Sequence, residues 1–81
     1  MKMNKVMEKM LLELIKGKAE TVTDLYKLDV GAYNSIVGNK NKLKKMGLIK
    51  IKKKDGRTNS LVLTDKGKKV AKALLNIEKI L

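Results

Sequence analysis

Residues 43–67 read LKKMGLIKIKKKDGRTNSLVLTDKG, and this stretch decides the fold. Gly47 stands where a helix ending near Met46 needs a residue that accepts the left-handed conformation. Beyond it, Ile49 and Ile51 alternate with Lys50 and Lys52, the two-residue period of a strand with one buried face. Lys50, Lys52 and Lys54 therefore share one strand face, and Lys53 takes the other. Asp55-Gly56 is a hairpin turn signal, and Leu61 and Leu63 alternate with Ser60 and Val62 on the return strand. Thr64 is placed to cap a following helix.

Upstream, a helix is expected from Ala32 to Met46, with Tyr33, Ile36, Lys40, Leu43 and Met46 along one side. Gly38 and the three asparagines Asn34, Asn39 and Asn41 work against its helix propensity, so either these polar side chains contact something or tertiary packing simply tolerates them. Before it, Asp29-Val30-Gly31 reads as a tight turn, with Gly31 as the left-handed residue. Thr21 and Asp24 form a capping-box pattern that opens a short helix carrying Leu25, Tyr26 and Leu28. A first helix runs from about Asn4 to Lys16, with an apolar stripe of Val6, Met7, Met10, Leu11, Leu14 and Ile15, and Gly17 at its end. Downstream, Val70, Ala73, Leu74, Ile77, Ile80 and Leu81 mark one face of a last helix. The fold is therefore mainly α with a small β-hairpin. The order helix, short helix, helix, hairpin, helix is that of a winged helix-turn-helix, expected as a single domain over residues 1–81.

Charge narrows the function. The chain carries 20 basic residues against 8 acidic ones, a net charge of +12, and only one basic residue, Arg57, is an arginine. The excess is concentrated, because residues 40–57 hold eight lysines and Arg57 against Asp55 alone. A local patch of this kind attracts a phosphate backbone. With no histidine or cysteine, and with scattered acids, the sequence offers no catalytic constellation or metal-ligand cluster. No enzyme activity and no cofactor are expected. No apolar run reaches the ~18 residues of a membrane span, and Lys2, Lys5, Glu8 and Lys9 interrupt the N-terminus, so a cytoplasmic protein with no membrane partner is expected.

The segments Leu43-Lys44-Lys45-Met46-Gly47-Leu48-Ile49 and Leu63-Thr64-Asp65-Lys66-Gly67, with Asp55-Gly56-Arg57 between them, resemble the wing region of prokaryotic winged-helix transcription regulators of the MarR type. The chain is much shorter than that family's members, and its Gly31-Ala32-Tyr33-Asn34-Ser35 departs from their usual Ser/Thr-rich helix start. A minimal archaeal, plasmid or viral winged-helix protein is the nearer expectation. The resemblance implies a regulator that binds duplex DNA, with Arg57 at the wing tip entering the minor groove.

On the residues themselves, the third helix would lie in the major groove. Asn34, Ser35 and Asn39 are the candidates for base edges, with Tyr33 beside them on a thymine methyl or a phosphate. Lys40, Lys42, Lys44 and Lys45 are the candidates for phosphates. In the wing the candidates are Lys52, Lys54, Arg57, Thr58 and Asn59. The spacing of Leu74, Ile77 and Leu81 offers a surface for a homodimer through the last helix. Two other readings stand beside DNA binding. One is a winged-helix interaction module for an acidic protein; the other is RNA binding, for which Tyr26 and Tyr33 supply little stacking surface.

Overall fold

The computed structural model describes residues 3–56 and 58–81; for Lys54, Asp55 and Thr58 it describes the backbone only. The elements follow in the order α1 (Lys5–Ile15), α2 (Val22–Lys27), α3 (Tyr33–Lys45), β1 (Ile49–Asp55), β2 (Thr58–Leu63) and α4 (Asp65–Ile80). This is the winged-helix arrangement that the sequence implies.

Local signals account for the helix ends. Asn4 caps α1 by accepting a hydrogen bond from the Met7 N–H at 2.8 Å. Thr21 and Asp24 close a reciprocal capping box on α2. α1, α2 and α3 each end on a left-handed residue: Gly17 (φ 74°), Asp29 (φ 61°) and Gly47 (φ 74°). After each of these the chain folds back, so that Lys18 bonds to Glu13, Val30 to Leu25 and Leu48 to Leu43, backbone to backbone. Asp29, not Gly31, thus makes the turn between α2 and α3. Gly31 packs beside Val6, where a Cβ would lie 3.4 Å from a Val6 methyl, at van der Waals contact.

The core is built from Met7, Met10 and Leu11 of α1, Leu25 of α2, Ile36 and Leu43 of α3, and Leu48, Ile49, Leu61 and Leu63 of the hairpin. α1 packs against both α3 and α4, while α3 and α4 share little contact. The inward line of α3 is Ile36, Asn39 and Leu43. It is rotated from the expected line, leaving Lys40 half-buried and Tyr33 exposed.

The two motifs that flank the hairpin meet at its base. The Thr64 N–H donates to the Leu48 carbonyl at 3.1 Å, and the Thr64 hydroxyl donates to the Gly47 carbonyl at 2.6 Å while accepting from the Gly67 N–H. Gly67 faces the Leu48 carbonyl so closely that a Cβ would overlap it. The hairpin therefore leaves the helical body from a rigid seat. α4 buries Gly67 and Ala71, with Val70 and Leu74 partly covered, whereas Ile77, Ile80 and Leu81 are 53%, 82% and 97% exposed.

Candidate nucleic-acid interface

The surface of α3 follows from its inward line. At 3.6 residues per turn, the row opposite Ile36, Asn39 and Leu43 is Asn34, Gly38, Asn41 and Lys45. All four are exposed, as are Lys42 and Lys44 beside them. A Cβ at Gly38 would meet nothing within 4 Å, so the middle of the row is open to close approach by a partner. Asn41, which is absent from the expected contact set, belongs to this row, and its seven-residue spacing from Asn34 is the sequence signal that places it there.

Asn39 corrects an expectation. It is 8% exposed and turns inward instead of toward a partner. Its Nδ2 donates to the Ser35 carbonyl at 2.8 Å and lies 3.3 Å from the Ser35 hydroxyl, and its Oδ1 accepts from Asn4 Nδ2 at 2.8 Å. Asn39 thus joins α3 to the cap of α1, as a buried amide must when water is excluded. Ser35 is half-buried and shares that network.

The N-terminus of α3 has no side-chain cap, since Ala32 holds the cap position, and its first turn carries no acid. The last turn carries Lys42, Lys44 and Lys45, which complement the negative end of the helix dipole. Tyr33 stacks edge-on against Tyr26 of α2, with ring centroids 5.8 Å apart and an interplanar angle of 77°.

Between α2, α3 and the hairpin lies an open cleft of about 550 Å³, lined by Thr21, Thr23, Tyr33, Val37, Lys40 and Asn59 over Ile51 and Leu61. Asp24 lies on its α2 edge. Hydrogen bonds from the Glu20 and Thr21 backbone N–H groups hold its carboxyl below the usual carboxylate range, against the opposing effect of burial. That acid is therefore engaged with its own helix start. The structure brings Tyr33, Lys40 and Asn59 together here, from three expected positions in two elements.

The hairpin register pairs Ile49 with Leu63, Lys50 with Val62, Ile51 with Leu61, Lys52 with Ser60 and Lys53 with Asn59. The pairing slips between Lys53 and Asp55 before Asp55 meets Thr58. Strand alternation puts Lys53 with Asn59 and Ile51 on the cleft side. Lys52 is exposed on the other face, where it lines a groove with Leu14, Ile15 and Lys68. Lys53, which is absent from the expected set, is thus the wing lysine on the cleft side, a position that the same alternation signalled. Arg57 lies outside the described residues, as do the side chains of Lys54 and Thr58.

No family model and no curated protein matches the sequence. Solved structures do match. AF1382 from Archaeoglobus fulgidus superposes with a TM-score of 0.79 at 21% identity, over 94% of this chain and 86% of that one. Two variants of ZitR from Lactococcus lactis superpose with TM-scores of 0.83 and 0.82 at 22% and 23% identity, over 96% and 98% of this chain. The chain spans only 54–55% of the ZitR chains. At these identities the likeness concerns the fold, and together with the element order it establishes that this chain is a winged helix.

Proposed function

We propose that the protein is a sequence-specific double-stranded DNA-binding protein, a transcription regulator with a MarR-like wing. The observation that carries this reading is the outward row of α3. Two carboxamides and an unobstructed glycine stand on the face away from the core, with exposed lysines alongside. In the major groove, Asn34 and Asn41 are placed to read base edges, and Lys42, Lys44 and Lys45 to meet the flanking phosphates. The sugar–phosphate strand between the two grooves would follow the cleft past Lys40 and Asn59. The hairpin tip, with Lys53 and Arg57, would reach the minor groove. The exposed Ile77, Ile80 and Leu81 fit a second copy of the chain, so a homodimer on a two-fold-symmetric site belongs to the same reading.

Selection of bound fragments from a random duplex pool tests it. The expected outcome is an enriched motif whose Asn-contacted positions relax in Asn34→Ala and Asn41→Ala. In Lys44→Ala/Lys45→Ala, affinity falls for all sequences, and the salt dependence flattens by roughly 0.9 in log–log slope for each phosphate contact removed. A wild-type protein that enriches nothing and shifts no duplex at low salt would overturn the proposal.

A further inference from the structure

The cleft beside α3 does not use all of the basic surface. α4 turns Gly67 and Ala71 inward, which leaves Lys68, Lys69, Lys72 and Lys79 exposed. Lys68, Lys72 and Lys79 fall on one row of the helix, four and seven residues apart. The row is about 16 Å long, the length of roughly five base-pair steps along a duplex axis. Among the described residues, none of these four lysines is in an ion pair; the one ion pair joins Lys16 to Glu78 at 2.7 Å.

The hairpin adds to this row. Its outer face directs Lys52 into a groove of about 480 Å³ that Lys68 also lines, over Leu14, Ile15 and Val62, with Glu20 at its edge. Lysines from two separate elements therefore converge on the side of the hairpin away from α3. α1 packs against both α3 and α4, which share little contact beyond the bond from Lys66 to the Met46 carbonyl, so the α4 row belongs to a helix other than the one proposed to lie in the groove.

We infer that this second basic face, Lys52 with Lys68, Lys72 and Lys79, takes the phosphate backbone of a second DNA duplex, so that the protein cross-bridges two duplexes. The inference rests on the DNA-binding reading above. A linear polyanion suits a linear row of mobile point charges. A membrane surface suits it less, because the stripe holds one apolar residue, the half-buried Leu75, among its three lysines, with Lys69 and Asn76 alongside.

The experiment captures a fluorescent mixed-sequence duplex on beads carrying an unlabelled one, with single-duplex affinity measured separately on a short duplex by mobility shift. The wild type should capture in a protein-dependent way. Lys68→Glu/Lys72→Glu should lose capture by about tenfold or more, keep single-duplex affinity within about threefold, and keep the wild-type solution mass by light scattering. Capture that survives the double reversal overturns the inference, as does capture lost together with a fall in mass, which would assign bridging to a dimer. Equal loss of capture and single-duplex affinity also overturns it, by placing α4 on the same duplex. A wild type that shifts single duplexes and captures none refutes only the second face; a wild type that shifts none refutes the DNA reading beneath it. Capture of a polyglutamate peptide in preference to DNA would assign the face to an acidic protein instead.

Discussion

α1 and α3 are neighbours of similar length, and they are helical for different reasons. α1 carries a dense apolar stripe and a side-chain cap on Asn4. α3 begins on an uncapped alanine, contains a glycine and three asparagines, and buries only Ile36, Asn39 and Leu43. The first helix is specified by its own residues; the second is held in place by what it packs on. Freed from supplying its own stability, α3 can carry polar residues on its outward row. That is the arrangement expected of an element selected for contact with a partner.

Three groups of substitutions sharpen this contrast. Leu43→Ala should cost about 2–5 kcal/mol, as Leu11→Ala should in α1. Only the α3 variant should also speed amide exchange selectively over residues 33–45, because little local propensity remains to hold that helix. Uniform exchange in both variants would erase the distinction. Asn39→Ala should cost about 1–3 kcal/mol by denaturant titration, since it removes the two hydrogen bonds to Ser35 and Asn4 at about 0.5–1.5 kcal/mol each. Asn34→Ala and Asn41→Ala on the outward row should stay within about 0.5 kcal/mol of wild type. Ala32→Asp should do something unusual for a substitution in a binding element. It should stabilise the fold by about 0.5–2 kcal/mol by capping α3, while weakening duplex binding through the new charge at the helix start.

Much of the fold was legible in the sequence because its signals are local. Gly17 and Gly47, the Thr21–Asp24 box, and the Ile49/Ile51 and Leu61/Leu63 alternations each act within a few residues. The site was less legible. Asn34, Asn39 and Asn41 are the same residue type within one helix, and only the packing of α1 decides that Asn39 faces inward and the other two outward. Asp29 takes the left-handed turn although a glycine stands two residues on, and the sequence holds no local signal that separates the two. Lys52 and Lys53 differ by one position, and their assignment to opposite sides depends on which hairpin face meets the cleft.

The contact between Gly67 and the Leu48 carbonyl works as a fulcrum for the hairpin. With the near end pinned by a glycine that admits no side chain, and by Thr64 bonded to Gly47 and Leu48, the hairpin is a lever of fixed angle. Residues added in pairs at the far end would extend its reach and leave its faces in place, whereas one added residue would exchange them. The tip is therefore where such a scaffold can be retuned for a deeper or shallower groove, and position 67 is where it cannot be altered.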